Sequence, residues 1–461
     1  MAASQVREWN CRLKVAVATS LRYKGILCAY NALVDKQVFL AKKDLDSLAN
    51  GVFDEFREPP LVHDEKTLAQ ALLPAFAKGK AAHILTTYAF ARKLESRFHS
   101  NTPRLGGQAG IIASQLASLG ATSVLYSPSH SRDVLKLASR NTLFPIARSG
   151  RLLLSKAIDA VKRGDKAKTN WVLEFKEGQR ICAKGLSVVC PRSNRLILSS
   201  PFRNVLAFEP GVEKLLPSLG KKISCVMLAG HHYLSDGGQN DFKRLVKRES
   251  KAIKALKKGN SRLRVHFEYV PFDCKKIEER IMEHATENFD SLGINEVELV
   301  ELCRKLGLHK HSKAIADGYG ATAVYEASAA VMRKLRLQRI HVHGPGFHVL
   351  VLHKPYPFAL ERVRNAVLFS SVAATSKAIL GREITLKELT RSLSIPLSQN
   401  GFKQMNAFAR DKELGADFLR NGWAEFESHY CLVIPAQFAK VRKGTVGLGD
   451  VVSSCAFLAE A

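Results

Sequence analysis

A glycine-rich segment at residues 444–454 contains the residues of this sequence whose chemistry is easiest to state. Within it, Gly449 comes directly before Asp450, and Gly447 lies two residues before Gly449. Glycines allow a tight turn and a close approach of the backbone to a ligand, and the small residues that follow can begin a helix whose first N–H groups attract an anion. An acidic residue repels a bound phosphate, but it can take a proton from a hydroxyl that attacks that phosphate. The segment therefore predicts phosphoryl transfer with Asp450 as the base. The alternative is a glycine-rich turn in which Asp450 caps a helix.

A second group of polar residues follows a strand-like run near the start of the chain. Asn31 and Asp35 come after the run at residues 25–29, and open α/β sheets bind ligands at the carboxyl ends of their strands. A carboxylate accepts hydrogen bonds from hydroxyls, while an amide both donates and accepts. The pair predicts recognition of a molecule rich in hydroxyls, and the alternative is a turn with a capping Asp.

A third candidate is the turn at residues 106–110, which reads Gly-Gly-Gln-Ala-Gly. Gly106, Gly107 and Gly110 permit close backbone approach, and Gln108 can bridge two hydroxyls. Glycines that only open a helix would explain the same pattern.

The run His266-Phe267-Glu268 suggests a cation site at the end of a predicted strand. Mg²⁺ prefers carboxylate oxygens and keeps several waters when phosphates are its other ligands, so Glu268 is expected to act through water. Strand alternation places His266 on the same face, where it either orients Glu268 or is solvated beside it. An exposed strand carboxylate is the alternative for Glu268.

Three histidine pairs have spacings that resemble metal sites: His231/His232, His309/His311 and His341/His343. None has a carboxylate or cysteine partner nearby in sequence. This favours structural or surface histidines over metal ligands.

These residues need an α/β framework to bring them together, and the sequence predicts one. Strand-like runs occur at 13–19 and 25–29, an amphipathic helix at 66–79, and a helix at 111–119 that Gly120 closes. A strand at 123–127 follows, which gives the turn–helix–strand order of a wound sheet. Further strands are predicted at 224–229, 264–270, 340–342 and 348–352.

Residues 150–205 differ from the rest, because four short β-type runs follow one another there. We therefore expect a wound sheet with helices on both faces plus a smaller β-rich lid. The predicted large domain comprises residues 1–35, 101–150 and 206–461, and the lid comprises 36–100 and 151–205.

Composition sets limits on the class of protein. The 461 residues are 46% hydrophobic with a mean hydropathy of −0.08, which is typical of a globular chain with a sizeable core. No apolar run is long enough to span a bilayer, and the first residues have no apolar signal core. The nine cysteines are scattered without a Cys-x-x-Cys pair. This pattern indicates reduced thiols and leads us to expect a cytoplasmic protein without a membrane partner.

The formal charge of +28 raises non-specific affinity for nucleic acid and attracts anionic substrates. The basic runs are spread along the chain, and no recognition motif with interleaved aromatic residues accompanies them. A nucleic-acid function would therefore depend on charge alone. The P-loop pattern Gly-x-x-x-x-Gly-Lys-Ser/Thr is absent from the sequence, which disfavours a P-loop NTPase.

Taken in order, seven segments resemble the ADP-dependent glucokinase/phosphofructokinase family, a branch of the ribokinase-like sugar kinases, over nearly the whole chain. They are residues 30–35, 105–112, 266–268, 290–296, 341–344, 433–435 and 447–450. The resemblance implies a ribokinase-like fold and a glycolytic kinase that moves the β-phosphate of ADP to a hexose or hexose phosphate. It also implies Mg²⁺ or another divalent cation as cofactor, and ADP and a sugar as partners.

The resemblance also assigns roles to individual residues. Asp450 would be catalytic, and Glu268 and Asp450 would serve the metal. The substrate would contact Asn31, Asp35, Gly106, Gly107, Gln108 and Arg195. The nucleotide and its phosphates would contact Val433, Ile434, Pro435, Gly447, Leu448 and Gly449.

The acceptor is the point where this chain departs from the family. Glucose-using members carry Glu where His83 falls, and some relatives have a polar residue at the position of Leu33. Protonated histidine favours an anion, and arginine binds a phosphate through two hydrogen bonds. Arg192 and Arg195 belong to a stretch that resembles a substrate-facing part of the family, although solvated arginines would explain them equally. We expect fructose 6-phosphate to be preferred over glucose.

Two alternatives remain open from the sequence. One is a ribokinase-like kinase of another alcohol, such as a nucleoside or a sugar 1-phosphate. The other is a basic nucleic-acid-binding relative that has lost catalysis. The sequence does not specify the oligomeric state.

Overall fold

The computed structural model describes residues 3–20, 25–49, 59–99, 101–183, 186–202, 204–272, 274–439 and 446–461. The described strands are β1 (Ile26–Tyr30), β2 (Leu33–Phe39), β3 (Leu61–Val62), β4 (Ala82–Thr86), β5 (Thr102–Gly106), β6 (Ser123–Tyr126), β7 (Phe144–Arg148), β8 (Arg151–Ser155), β9 (Thr169–Phe175), β10 (Arg180–Ala183), β11 (Leu186–Val189), β12 (Asn194–Ser199), β13 (Cys225–Ala229), β14 (Arg264–Glu268), β15 (Ser291–Asn295), β16 (Arg339–Gly344), β17 (Phe347–His353), β18 (Trp423–Glu425) and β19 (His429–Pro435).

The described helices are α1 (Ala3–Thr19), α2 (Lys42–Ala49), α3 (Glu65–Lys78), α4 (Tyr88–Arg97), α5 (Gln108–Ser118), α6 (Arg132–Leu135), α7 (Ala157–Ala160), α8 (Pro210–Glu213), α9 (Leu216–Gly220), α10 (Phe242–Gly259), α11 (Lys275–Asn288), α12 (Glu296–Lys305), α13 (His309–Asp317), α14 (Ala321–Lys334), α15 (Leu360–Leu380), α16 (Leu386–Ser392), α17 (Gln399–Asp411), α18 (Ala416–Asn421) and α19 (Leu448–Glu460).

The larger sheet has nine strands in the order β18-β19-β17-β16-β15-β14-β13-β1-β6. The six strands from β16 to β6 are parallel to one another, and β17 and β18 run against their neighbours. The parallel strands therefore end at one edge, where Asn31, Glu268 and Asn295 lie. Helices cover both faces, so the predicted α/β class and wound sheet are confirmed.

The segment 13–19, predicted as a strand, is instead the last part of the helix α1. Trp9, Leu13, Ala16 and Val17 are buried and recur at helical spacing. Since the short run at 13–19 is mostly apolar and contains three β-branched residues, only the stripe that begins at Trp9 distinguishes helix from strand. The other strand predictions at 25–29, 224–229, 264–270, 340–342 and 348–352 each coincide with a strand of the nine-stranded sheet.

Among the described residues, a second sheet has six strands in the order β3-β4-β12-β9-β2-β5, and β7-β8 and β10-β11 each form a separate two-stranded sheet. One face of the six-stranded sheet carries the apolar side chains of a separate core, such as Trp171, Leu173 and Leu198, which pack against α2, α3 and α4. The opposite face carries polar residues of the same strands, including Asp35 and Asn170. This half-covered sheet corresponds to the lid that the sequence suggests.

The predicted boundary between residues 35 and 36 divides β2, and the segment 101–150 assigned to the large domain contains β5, while the domain division itself stays a prediction. β5 was expected in the large domain, yet it pairs with β2 at the edge of the six-stranded sheet. Pro103 lies in β5 and cannot donate to a neighbouring strand, which suits an edge position.

Within the described residues, no helix combines the length and apolar character needed to cross a membrane. All nine cysteines are free thiols.

Candidate active site

Asp450 lies in the first turn of α19, at the carboxyl edge of the nine-stranded sheet. Gly447 caps this helix with a φ of 69°, a conformation that side chains rarely adopt. A Cβ on Gly449 would lie 2.7 Å from Cε1 of His343. The glycines therefore let the start of α19 pack tightly against its surroundings while its N–H groups remain at the sheet edge. Residues 444–445 of the predicted turn lie outside the described residues.

Asp450 has the environment expected of a proton acceptor. Burial and the charge of Glu268 raise the pKa of Asp450 to about 6. Gln108, from the first turn of α5, donates a hydrogen bond from Nε2 to Oδ1 of Asp450 at 3.3 Å. Gln108 and Asp450 come from segments that the sequence predicted separately, and the fold brings them into contact.

Glu268 is held by two histidines rather than exposed at a strand edge. His266 Nε2 lies 3.1 Å from Oε2 and His343 Nε2 lies 3.0 Å from Oε1 of Glu268. Burial alone would raise the pKa of Glu268, but the two histidine hydrogen bonds outweigh it and lower the pKa to about 2. The prediction that His266 shares a face with Glu268 is confirmed, and its full burial removes the solvated alternative.

His343 was placed by spacing among the structural histidines, because no carboxylate partner was near it in sequence. Its partner is Glu268, which lies 75 residues away and reaches it across the sheet. Burial lowers the pKa of His343, but the hydrogen bond and charge of Glu268 outweigh burial and raise it.

Glu298 is a third carboxylate at this edge, and the sequence reasoning missed it. Burial raises its pKa to about 7, with further contributions from the charges of Glu268 and Asp450. Its Oε2 accepts a hydrogen bond from the backbone N–H of Asn295 at 3.0 Å, and Asn295 Oδ1 accepts from the N–H of Glu298 in return. This reciprocal cap has a sequence signature, Asn-x-x-Glu before an apolar run, that would have located it.

Three carboxylates at this edge, those of Glu268, Glu298 and Asp450, are the candidates to hold a divalent cation. In the described part of the chain, no three His, Cys, Asp or Glu side chains are arranged as a ready coordination shell. Both oxygens of Glu268 already accept hydrogen bonds, which suits contact through water rather than direct coordination. Asp450 and Glu298 both have raised pKa values beside a negative neighbour, so a cation would relieve their repulsion.

A cavity of about 330 Å³ adjoins the start of α19. Leu448 and Gly449 line it on one side, and His343, His348 and Gln437 line it on others. The predicted nucleotide residues Val433, Ile434 and Pro435 are buried in β19 and stand behind this cavity. The residues that follow them, Ala436 to Ala439, line it instead. The predicted nucleotide contact of residues 433–435 stays a prediction, and the residues that face this cavity are the ones that follow them.

Asn31 holds the neighbouring helix in place. Its Oδ1 accepts a hydrogen bond from the N–H of Ala109 at 3.0 Å, and the side chain is 1% exposed. A Cβ on Gly107 would lie 2.4 Å from the carbonyl oxygen of Asn31. The fold therefore brings Asn31 and the 106–110 turn together, with Asn31 making a positioning contact, and their predicted contacts with the substrate stay predictions.

Asp35 is a half-buried carboxylate of the six-stranded sheet. Asn170 Nδ2 donates to Oδ1 of Asp35 at 3.0 Å, and a Cβ on Gly106 would lie 2.4 Å from the Asp35 carboxyl. Burial raises the pKa of Asp35 to about 6 despite the Asn170 hydrogen bond and the charges of Lys168 and Arg195. Arg195 of β12 thus lies in electrostatic reach of Asp35, and its predicted contact with the substrate stays a prediction.

A second cavity, of about 730 Å³, lies beside this carboxylate. Lys168, His83 and Tyr233 are among the residues that line it. Burial lowers the pKa of Lys168 to about 7, while the charge of Asp35 opposes the shift. Lys168 Nζ donates to the carbonyl of Ser200 and lies 4.5 Å from the ring centre of Tyr233. No sequence pattern singles out Lys168, since it is one of 70 basic residues. Leu33, the other departure, is buried opposite Gly106.

Comparisons with known proteins find similarity to one family over nearly the whole chain. A family model described as the ADP-specific phosphofructokinase/glucokinase conserved region matches residues 24–459. The ADP-specific phosphofructokinase of Methanosarcina acetivorans is 30% identical over 98% of this chain and 97% of its own length. The ADP-dependent glucose/glucosamine kinase of Pyrococcus furiosus is 28% identical over 97% of this chain and 96% of its own.

Two solved structures are similar in fold as well as sequence. One is the last common ancestor of ADP-dependent phosphofructokinases from Methanosarcinales, with a TM-score of 0.85 and 27% identity over 100% of this chain and 98% of that chain. The other is an ADP-dependent kinase in complex with fructose-6-phosphate and ADPbetaS, with a TM-score of 0.84, 26% identity and the same coverage.

Proposed function

The chain belongs to the ADP-specific phosphofructokinase/glucokinase family, and on that premise we propose that it transfers the β-phosphate of ADP to fructose 6-phosphate in preference to glucose. The observation that carries this proposal is the half-buried carboxylate of Asp450 in the first turn of α19. It lies beside a cavity large enough for part of a nucleotide and touches Gln108 of the turn predicted to face the sugar.

Asp450 would act as the general base on the acceptor hydroxyl. A pKa of about 6 leaves the carboxylate ionised at neutral pH yet basic enough to share a proton with a hydroxyl as the bond to phosphorus forms. The N–H groups at the start of α19 would hold the transferring phosphate as negative charge develops on it. Gln108 would keep the carboxylate oriented toward the sugar.

We include Mg²⁺ or a similar divalent cation in this proposal. Its chemistry would be to bind phosphate oxygens and offset their charge during transfer. Glu268 would hold it through water, and Glu298 and Asp450 supply further negative charge. His266 and His343 keep Glu268 ionised and fixed in orientation.

The preference for a phosphorylated acceptor is supported by the charges around the second cavity. Lys168 lines the cavity and Arg195 lies within electrostatic reach of the neighbouring Asp35, while His83 stands where glucose-using relatives carry Glu. Cations bind a phosphate strongly when they are partly desolvated. A relative of similar fold is known in complex with fructose-6-phosphate and an ADP analogue. Such a reaction would be glycolytic.

A matrix of donors against acceptors tests this function. ADP and ATP are each offered with glucose, fructose 6-phosphate and nucleosides, with Mg²⁺ present, and phosphorylated product is measured. We expect turnover with ADP and fructose 6-phosphate, and much less with ATP or nucleosides. Turnover of a nucleoside alone would favour a kinase of another alcohol. No turnover with any pair, together with salt-sensitive binding of DNA or RNA, would favour the non-catalytic alternative.

A further inference from the structure

A chain of four side chains crosses the open face of the six-stranded sheet. Asp35, Asn170, Ser199 and His83 come from the strands β2, β9, β12 and β4, which are consecutive neighbours in the sheet. Asp35 pairs directly with Asn170, and Asn170 pairs directly with Ser199. His83 pairs with Ile197, two residues from Ser199, so its side chain lies diagonal to Ser199 on the same face.

Hydrogen bonds link the four side chains in that order. Asn170 Nδ2 donates to Asp35 Oδ1 at 3.0 Å, and Ser199 Oγ donates to Asn170 Oδ1 at 2.6 Å. His83 Nε2 lies 2.7 Å from Ser199 Oγ. Asn170 and Ser199 are buried, while His83 lies at the exposed end beside the 730 Å³ cavity.

The direction of each hydrogen bond is set by the carboxylate. An ionised Asp35 only accepts, so Asn170 must turn its NH₂ group toward Asp35 and its oxygen toward Ser199. Ser199 has one proton and gives it to that oxygen. The Ser199 oxygen is then left to accept, and the group facing it from His83 must be an N–H. The network therefore requires His83 to carry a proton on Nε2.

We propose that His83 is a positioning residue for the acceptor sugar: its Nε2–H fixes Ser199 and Asn170, and these hold the Asp35 carboxylate in one orientation. This inference rests on the proposed function and on the prediction that Asp35 accepts hydrogen bonds from the hydroxyls of the acceptor sugar. A carboxylate at position 83 cannot donate to Ser199. It would compete with Asn170 for the Ser199 proton and so weaken the hydrogen bond that fixes the Asn170 amide.

The network also accounts for the departure at residue 83 by chemistry rather than by charge alone. With His83, the chain of hydrogen-bond donors ends at the Asp35 carboxylate, which is thereby already oriented for the sugar. With Glu at this position, the same strands would need a different partner for Asn170. The identity of residue 83 is thereby matched to the residues at 170 and 199, and changing it alone is expected to impair binding of any acceptor sugar that uses Asp35.

A double-mutant cycle on His83 and Ser199 tests the coupling. We expect Ser199→Ala and His83→Leu each to raise the KM for the acceptor sugar by about 5- to 20-fold, with little change in the KM for ADP. Because either change breaks the same chain, the double variant should be no worse than the more damaging single variant. Ser199→Thr, which keeps the hydroxyl, should restore the KM. Multiplicative effects, or an equal rise in the KM for ADP, would overturn the proposal.

Thr86→Val supplies the matched control. Thr86 is fully buried on the covered face of the same sheet, and its hydroxyl donates to the carbonyl of Val62 at 2.7 Å. Losing this hydrogen bond should lower the Tm without changing the sugar KM. A rise in sugar KM for Thr86→Val as large as that for Ser199→Ala would show that general lid stability, and not the chain of side chains, controls the KM.

A second readout does not depend on activity and separates this proposal from the proposed function. In protein labelled with ¹⁵N-histidine, the His83 signal, assigned with His83→Leu, should show a proton on Nε2 and should change in Ser199→Ala. A His83 ring protonated only on Nδ1 would overturn the proposal whichever acceptor the enzyme uses. If His83 carries its proton on Nε2 but the protein phosphorylates no sugar, the chain of hydrogen bonds is supported. That result would contradict only the proposed function.

Discussion

The proposed site has two ends, one at Asp450 on the edge of the nine-stranded sheet and one at Asp35 of the six-stranded sheet. Each end has a half-buried carboxylate with a pKa of about 6, but the charges next to the two carboxylates are opposite in sign. At the nine-stranded sheet, Asp450 has Glu268 as its strongest charged neighbour, which raises its pKa further. At the six-stranded sheet, Asp35 has Lys168 and Arg195, whose charges lower its pKa against the effect of burial. Burial is common to both ends, and the neighbours distinguish them.

The difference in charge indicates which kind of ligand each end would bind. The acidic end concentrates negative charge that a divalent cation would offset, and this is the chemistry of a phosphoryl donor site. The basic end concentrates positive charge that an anionic group on the acceptor would offset. The contrast also coincides with the family resemblance, since the acidic end keeps the motif residues and the departure at His83 lies at the basic end. Four changes of decreasing effect test it.

Asp450→Asn should have the largest effect, because it removes the proposed base while keeping the shape of the side chain. Turnover should fall by about 10²- to 10⁴-fold. Nucleotide affinity and the Tm should stay close to those of the unaltered protein, and steady-state kinetics with binding and melting measurements checks this. Near-normal turnover would show that the acidic end does not use Asp450 as a base.

Lys168→Met should act on the basic end alone. Removing a buried ammonium should lower kcat/KM for fructose 6-phosphate by about 10- to 100-fold, because a charge-assisted hydrogen bond to the phosphate is lost. The kcat/KM for glucose should change little, since glucose has no phosphate. An equal loss with both sugars would mean that Lys168 supports the fold of the cavity rather than the choice of acceptor.

Glu268→Gln should alter the dependence on the metal ion. The Mg²⁺ concentration for half-maximal rate should rise by about tenfold, the usual scale for groups that act on a metal through water. Sugar KM values should hardly change. The measurement is a titration of rate against Mg²⁺ at saturating substrates, and an unchanged midpoint would remove Glu268 from the cation site.

The pH dependence of acceptor choice should show the smallest effect. Burial lowers the pKa of Lys168 to about 7, so its charged form predominates below pH 7 and is lost as the pH rises through 7. The ratio of kcat/KM for fructose 6-phosphate to that for glucose should therefore fall several-fold between pH 6.5 and about pH 8.5. Asp35 and Asp450 are proposed to act on both sugars, so the effect of their titration on kcat/KM is the same for both and cancels in this ratio. Lys168→Met should abolish the trend, and a ratio that rises with pH would contradict it.

The sequence was most informative where partners are close along the chain. Strand alternation is enough to place His266 beside Glu268, and the glycines around Asp450 indicate a helix start. Contacts between strands that are distant in sequence could not be predicted. His343 contacts Glu268 across β15. Asn170 and Ser199 connect Asp35 to His83 only because their strands are neighbours in the sheet. Lys168 shows the same limit, because its burial, and not its residue type, distinguishes it from other basic residues. The helical stripe from Trp9 was missed because the window at 13–19 was too short to show its period.

The most direct test of the account is a competition assay in which equal concentrations of glucose and fructose 6-phosphate share one limiting supply of ADP. The account predicts that the doubly phosphorylated sugar predominates, and that Arg195→Ala shifts the product ratio toward glucose 6-phosphate. Predominant phosphorylation of glucose, or a ratio that Arg195→Ala leaves unchanged, would contradict the claim that positive charge at the six-stranded sheet selects the acceptor.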